Sequence, residues 1–362
     1  MAIRCVLQAA ASLRCASRSI DLFFEMEYSQ RLVAPSHVTI QNFILRLGLH
    51  ELLRDKGRAD DWIWLVDHTI QLGKTKCLLI LGIRHRDWQQ LRRPLRHQDL
   101  QVLELQPVEQ SNGSIVDQQL EHVAQRNGVP LQIVSDEGSD LRKGYDSFLT
   151  RHPETLRSGD IAHQVATLLR QQLDKNESWN GFVAAAGLCR AKLQQTGVGQ
   201  WIPPTLKNKG RYMNIDELTG WAQKVLKLLC VARAGRLSES QREDFSVELL
   251  EEKLGWVESF ATDLQDWTAM AQMGRQTRQL MRTVGYGEQS ETKLAAELPP
   301  ATGPMAITFR AKLLEYVRRE SSLVPPGERR LGSTEVLESL FGKGKRLEGQ
   351  QSRSGFTRYV LG

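Results

Sequence analysis

The chain has 362 residues, 41% of them hydrophobic and 25% charged, which is enough for two or three domains with apolar cores. Its 48 Lys and Arg outnumber its 42 Asp and Glu, and the resulting net charge of +6 suits a polyanionic partner. No apolar run reaches the roughly 18 to 20 residues of a membrane span. The five cysteines form no C-x-x-C pair, which argues against zinc and disulfide frameworks and favours a reducing compartment.

The first 57 residues are predicted to be helical throughout. Ser36 can cap a helix that ends at Gly48, with an apolar stripe formed by Ile40, Phe43, Ile44 and Leu47. The other face is polar and carries His37, Thr39, Gln41, Asn42 and Arg46. Such a module suits a helix-turn-helix that reads DNA, and the alternative is a plain helical bundle with a solvated polar face.

Residues 61–83 are predicted to form two buried strands joined by a tight turn at Gly73-Lys74. One acid, Asp67, lies inside the first strand. A carboxylate in a buried strand is costly unless it is paired or binds a metal. Asp67 is therefore a candidate metal ligand, and the alternative is that it follows the strand and caps a turn.

The next segment predicts a strand at 101–105, a helix at 117–127 and a short buried strand at 131–134. The last of these leads directly into Ser135-Asp136. If this fourth strand pairs beside the first, Asp67 and Asp136 come together, and a divalent cation relieves their repulsion. The alternative for Asp136 is a turn acid in a Gly/Ser-rich loop.

The rest of the chain is predicted to be mainly helical. An amphipathic helix follows Asp160-Ile161-Ala162-His163, and residues 175–325 contain nothing that alternates like a strand. A last helix, capped by Ser333 or Thr334, carries Glu335 and Glu338. These two acids are either functional or simply surface acids favoured by the helix dipole.

Three motifs together resemble the DDE transposases of bacterial insertion sequences. The motifs are Val66-Asp67-His68-Thr69, Val134-Ser135-Asp136-Glu137-Gly138 and Glu338-Ser339-Leu340-Phe341-Gly342. The resemblance implies an α/β fold, in which an RNase H-like mixed sheet is interrupted by a large all-α insertion and preceded by a small helical domain. The domains expected are a DNA-binding domain (1–57), the first part of the catalytic core (58–174), the helical insertion (175–328) and the C-terminal part of the core (329–362).

The resemblance also implies the site. Asp67, Asp136 and Glu338 would be the catalytic residues and would hold two Mg²⁺ ions, for which Mn²⁺ can substitute. Glu335 is the rival third acid, but Lys345 lies seven residues after Glu338, the distance at which the family places a basic residue. Asp160 and His163 match an Asp-x-x-His motif of related transposases.

The implied activity is nicking of DNA at the ends of a mobile element, followed by transfer of the freed 3′ end to target DNA. The expected partners are the terminal inverted repeats, the target DNA and further copies of the chain, with no membrane, in the cytoplasm at the bacterial nucleoid. Gln41, Arg46, His163 and Lys345 are candidate DNA contacts. The alternatives are an RNase H-like metal nuclease without strand transfer and a catalytically inactive DNA-binding relic of a mobile element.

Overall fold

A computed structural model describes residues 1–27, 33–72, 75–136, 138–194, 198–205, 212, 215–240 and 245–349, without the side chains of 69–76, 139–140 and 343–349. The chain divides into two compact units. The sheet unit comprises Met1–Ser158 and Thr334–Gly362, and the helical unit comprises Gly159–Ser333. The helical unit therefore starts before the insertion expected at 175–328, and the N-terminal helices group with the sheet.

The sheet unit is built on five strands in the order β3-β2-β1-β4-β5. The strands are β1 (Trp62–Leu72), β2 (Thr75–Arg84), β3 (Gln101–Val108), β4 (Gln132–Ser135) and β5 (Leu156–Gly159). β1 pairs antiparallel with β2 and parallel with β4, and β2 pairs antiparallel with β3. The sequence predicts the first four strands but not β5, and the predicted turn at Gly73-Lys74 lies outside the described residues.

Alternation along β1 sorts its side chains between the two faces of the sheet. Trp62, Trp64 and Val66 share a buried cluster with side chains of α5 (Gly113–Asn127) and α6 (Ser139–Arg151). The intervening residues, which end with Asp67, therefore point to the other face. The short helix α4 (His85–Gln90) follows β2 and buries Trp88.

The last helix of the sheet unit, α14 (Glu335–Gly349), packs against β1. Val336 and Leu337 are buried at its start. The helix continues through Gly342 and Gly344, although a glycine inside a helix costs about 1 kcal/mol relative to alanine. The first turn of α14, which carries both candidate glutamates, is thereby attached to the strand that carries Asp67.

The N-terminal module consists of α1 (Ala2–Leu7), α2 (Leu13–Glu27) and α3 (His37–Leu53). The Thr39 N–H donates to Ser36 Oγ at 3.2 Å, which confirms Ser36 as the cap of α3. The expectation that this helix ends at Gly48 is wrong, because α3 continues to Leu53. Its apolar stripe is half buried. Ile40 and Ile44 are buried, whereas Phe43 and Leu47 are 45% and 42% exposed.

The helical unit has its own large apolar core. Its helices are α7 (Ile161–Leu173), α8 (Glu177–Leu193), α9 (Ile215–Arg233), α10 (Val247–Leu254), α11 (Ala261–Val284), α12 (Ser290–Glu297) and α13 (Pro304–Ser322). Two short strands that the sequence does not predict, β6 (Tyr286–Gly287) and β7 (Arg329–Arg330), pair antiparallel. No helix among the described residues of the chain is both long enough and apolar enough to cross a membrane.

Candidate active site at the ends of two parallel strands

The parallel pairing of β1 and β4 brings two acids side by side. The register runs from Ile63 opposite Gln132 to Val66 opposite Ser135, and the next residues are Asp67 and Asp136. Neighbouring strands lie about 4.8 Å apart, and residues in register on parallel strands point to the same face. Asp67 and Asp136 are both partly exposed. We call these two residues the carboxylate pair.

The charges of the carboxylate pair affect the pKa of the buried Tyr145 hydroxyl group. Tyr145 lies on α6 and is fully buried. Burial is the main reason why the pKa of Tyr145 is raised, and the negative charges of Asp136 and Asp67 raise it further, whereas the Ser135 hydroxyl acts in the opposite direction. Both carboxylates therefore lie within electrostatic range of the same buried hydroxyl group.

The turn that follows β4 fixes one oxygen of Asp136. The Gly138 N–H donates to Asp136 Oδ1 at 3.2 Å just before α6 begins. A Cβ at position 138 would lie 3.3 Å from the same oxygen, so glycine leaves room for this close approach. Asp136 is thus both a turn acid and a member of the carboxylate pair, and the two interpretations of its sequence context are compatible.

The candidate third acid comes from the first turn of α14. Glu338 is exposed, whereas Glu335 is partly buried and one of its carboxylate oxygens is shielded from solvent. Ser339 Oγ lies 3.3 Å from His97 Nε2, so the loop before β3 reaches the same turn. Among the described residues, no group of three or more His, Cys, Asp or Glu side chains is arranged to hold a metal ion. The structure thus places two of the three predicted acids one residue beyond a matched pair of positions on parallel strands.

The basic segment 84–96 divides its arginines between structural and exposed positions. Arg84 bonds to Asp61 across the start of the sheet. Arg93 donates to both oxygens of Asp99 at 2.6 and 2.8 Å, and this bond holds the pKa of Asp99 below its ordinary value. The exposed members of the segment are Arg86, Arg92 and Arg96. These exposed arginines are the ones that suit contacts with a phosphate backbone.

Asp160 and His163 lie at the start of α7 in the helical unit. Asp160 is 2% exposed, and its Oδ1 accepts the Ala162 N–H at 3.3 Å as the helix cap. Its Oδ2 lies 2.7 Å from His163 Nδ1, and the His163 side chain is 40% exposed. Asp160 therefore stabilises the helix start and orients an imidazole that reaches the surface.

Sequence reasoning missed the polar surroundings of Asp160. The Gly159 N–H donates to Glu320 Oε2 at 3.3 Å, and the Tyr286 hydroxyl donates to the Gly159 carbonyl at 3.1 Å. Glu320 is only 8% exposed, and burial raises the pKa of Tyr286 well above its ordinary value. No signal in the sequence links these positions, because they lie more than 120 residues from Gly159 along the chain.

The remaining candidate DNA contacts are distributed over two helices of the sheet unit. Arg46 is exposed on α3, and Gln41 on the same helix is partly exposed. Lys345 lies within α14, but its side chain is outside the described residues. The structure therefore gives a surface position to the two residues of the N-terminal module and only a helical position to the lysine.

Comparison with known proteins adds little to this geometry. No protein-family model matches the chain. No curated protein matches it either. Among solved structures, the chain is similar to the Drosophila P element transposase strand transfer complex at 12% sequence identity, over 99% of this chain and 89% of that one, with a TM-score of 0.40. A likeness at this level defines neither a family nor a fold.

Proposed function

We propose that this chain is a DDE-type transposase that nicks DNA at the ends of a mobile element and transfers the freed 3′ end to target DNA. The observation that carries the proposal is the carboxylate pair. Asp67 and Asp136 follow matched positions of two parallel strands, as the resemblance of their motifs to DDE transposases requires. Two neighbouring carboxylates repel each other, so a site of this kind favours a bound cation.

The architecture around the carboxylate pair supports an RNase H-like core of the insertion-sequence type. The five strands form one mixed sheet, in which the central β1 has an antiparallel neighbour and a parallel neighbour. The helical unit is inserted between β5 and α14, so that the chain leaves the sheet after the second acid and returns with the third candidate acid. This order of acids and insertion is the one that the sequence motifs imply.

The donor set fits magnesium. Carboxylate oxygens are the ligands that Mg²⁺ prefers, and the negative potential sensed by Tyr145 is the potential that a divalent cation would relieve. Asp67, Asp136 and Glu338 would hold the metal, with Glu335 as the alternative to Glu338. Bound there, Mg²⁺ would stabilise charge on the attacking and leaving oxygens at phosphorus.

The chain's own residues would bind and orient the DNA. Arg92 and Arg96 would contact backbone phosphates next to the first turn of α14, because His97 in the same loop reaches Ser339. Arg46 and Gln41 of the N-terminal module would contact the element ends. His163, held by Asp160, would contact DNA from the helical unit. No serine or tyrosine nucleophile is needed, because the attacking group in each displacement is water or a DNA 3′ hydroxyl.

The test is the Asp136→Asn variant of the full chain, assayed on DNA that carries the sequences flanking the coding region. Asparagine keeps the side-chain oxygen that accepts the Gly138 N–H but removes the charge. We expect unchanged DNA binding and a loss of Mg²⁺-dependent nicking of at least about 1,000-fold, equivalent to about 4 kcal/mol. Asp60→Asn is the matched control, because Asp60 is an exposed aspartate of the same unit. Nicking by Asp136→Asn at the wild-type rate would remove Asp136 from the site.

Two further assays separate the alternatives. A DNA end with a pre-cleaved 3′ hydroxyl is joined to target DNA by a transposase, whereas nicking without joining indicates an RNase H-like nuclease. Binding without either reaction indicates an inactive relic. Glu338→Gln and Glu335→Gln identify the third acid, since only the variant at the metal ligand should lose nicking to the same extent as Asp136→Asn.

A further inference from the structure

Exposed large apolar side chains are concentrated in the N-terminal module of the described chain. Among the described residues, fourteen large apolar side chains are exposed, and all but Leu188, Ile307 and Leu323 lie within residues 1–53. Single exposed apolar residues are normal on a protein surface, whereas a concentration of them usually marks an interaction surface. The partner of this surface must match the spacing and the charges of its helices.

Helix α2 carries a stripe with the spacing of a coiled-coil seam. Ala16 and Ile20 face the small core of the module and are buried. On a different side of the same helix, Cys15, Ser19, Leu22 and Met26 follow one another at intervals of four, three and four residues. All four are exposed, with Leu22 at 55% and Met26 at 83%. This is the repeat with which one helix packs along another.

The charges of α2 run against the helix dipole. Its first turn has no acidic residue and its last turn has no basic residue. Instead, Arg14 and Arg18 lie in the N-terminal half, and Asp21, Glu25 and Glu27 lie in the C-terminal half. A helix dipole favours the opposite arrangement, so the charge pattern of α2 does not stabilise the helix by itself. An antiparallel copy of α2 would supply the missing compensation, because its acidic end would lie beside this basic end.

We propose that α2 pairs antiparallel with α2 of a second copy of the chain about a twofold axis between Ile20 and Asp21. In this pair Ser19 of one copy faces Leu22 of the other, and Cys15 faces Met26. Arg18, which flanks the stripe, comes beside Glu25 of the second copy. Among the described residues, no ion pair within the chain engages Arg18 or Glu25. A twofold pair makes each of these contacts twice.

The partner that this surface fits is therefore a second copy of the chain. A nucleic acid would be repelled by Asp21, Glu25 and Glu27, and an unrelated partner would have no reason to match the reversal of charge at the middle of the helix. One pair of 15-residue helices is smaller than a standard protein interface, so we expect a weak dimer in rapid exchange with the monomer. Pairing through α2 requires neither DNA nor metal, and it is independent of the proposed activity.

The first test is a charge exchange, measured by sedimentation equilibrium of the full chain without DNA. Arg18→Glu and Glu25→Arg should each weaken dimerisation at least about tenfold, because each brings like charges together twice in the symmetric pair. The double variant Arg18→Glu/Glu25→Arg should return to within about threefold of the wild-type dissociation constant. Both substituted positions, Arg18 and Glu25, are exposed, so the fold is not at risk. A double variant as weak as the single variants would overturn the proposal.

The second test determines the direction of the helices. In a chain whose Cys5 and Cys230 are replaced by serine, Met26→Cys should form a disulfide with Cys15 of the second copy under mild oxidation. The two positions are about 16 Å apart along one helix, too far for a bond within the chain. Leu188→Cys is the control, because Leu188 is 67% exposed in the helical unit. A wild-type chain that stays monomeric at all concentrations, or a bond between the two copies of Cys15 as the main product, would contradict the proposal.

Discussion

The sheet unit and the helical unit use aspartate in opposite ways. In the helical unit, Asp160 is buried, caps α7 with one oxygen and holds His163 with the other. In the sheet unit, Asp67 and Asp136 are partly exposed and lie side by side, where their charges add. The difference teaches that burial, rather than residue type, separates a structural carboxylate from a candidate ligand.

The two units also differ in how their cores are built. In the sheet unit, one apolar cluster lies between one face of the sheet and the helices α5 and α6. The helical unit buries a network of aromatic rings around Trp267, whose ring lies 5.0 Å from that of Trp179 and 5.3 Å from that of Phe182. Such rings contribute large buried areas, so a truncation at the centre of the network should destabilise the helical unit strongly.

Trp267→Ala should produce the largest change in stability. Trp267 is fully buried, and its removal should lower the free energy of unfolding of the helical unit by about 3 to 5 kcal/mol. The measurement is thiol labelling in increasing urea, with Cys189 reporting on the helical unit and Cys77 on the sheet unit. Both thiols are protected in the native chain, since burial raises the pKa of Cys77 to about 11 and also raises the pKa of Cys189.

The matched control for this truncation is Leu188→Ala, which removes an exposed side chain of the same unit and should change stability by less than about 0.5 kcal/mol. If the units are energetically distinct, Trp267→Ala moves the labelling transition of Cys189 more than that of Cys77. Equal shifts at both cysteines would mean that the two units unfold as one. The difference between their cores would then not appear as a difference in the free energy of unfolding.

Asp160→Ala should have the second largest effect. It removes the helix cap and leaves the Ala162 N–H without its acceptor, at a cost of about 1 to 3 kcal/mol in the free energy of unfolding. Asp160→Asn retains an acceptor oxygen and should cost less. The comparison variant in the other unit is Asp67→Asn, which removes one of two neighbouring negative charges and should leave stability unchanged or slightly higher.

Urea denaturation of these three variants sharpens the contrast between the two kinds of aspartate. A loss of more than about 1 kcal/mol in Asp67→Asn would show that Asp67 is a structural carboxylate like Asp160. A loss below about 0.5 kcal/mol in Asp160→Ala would show that the cap seen in the structure contributes little, and that the burial of Asp160 needs another explanation.

Sequence patterns gave the elements that have a strong local signal. The four predicted strands of the sheet are present, and the Ser36 cap is made as its position predicts. The side-by-side placement of Asp67 and Asp136 could be anticipated, because it follows from which strands pair and not from side-chain detail. The register itself, Val66 opposite Ser135, could not be derived from sequence.

What the sequence did not provide depends on contacts between distant residues. β5 has four residues and one apolar side chain, too few for an alternating pattern. The exposure of Phe43 and Leu47 was missed because periodicity shows which residues share a face but not what covers it. Glu335 and Glu338 are about one helical turn apart on one side of α14, so the face of the helix alone does not distinguish them.

The smallest predicted effect concerns the loop that precedes β3. The bond from Arg93 holds the pKa of Asp99 below the ordinary aspartate value of about 3.9, with burial acting in the opposite direction. A depressed carboxyl pKa adds stability that is present above about pH 3.9 and is lost as the pH falls through the folded-state pKa. Asp99→Asn should therefore flatten the decline in the free energy of unfolding of the sheet unit between about pH 5 and pH 2.

The expected difference is below about 1 kcal/mol, because the Arg93 side chain is 34% exposed and solvent screens the pair. The measurement is urea denaturation at a series of pH values, with Asp60→Asn as the control that should keep the wild-type slope. If Asp99→Asn retained the full wild-type decline, the ion pair would contribute nothing to the acid sensitivity of the sheet unit. The order of the basic segment beside α14 would then have to come from its backbone, including the turn in which the Asp99 N–H donates to the Arg96 carbonyl.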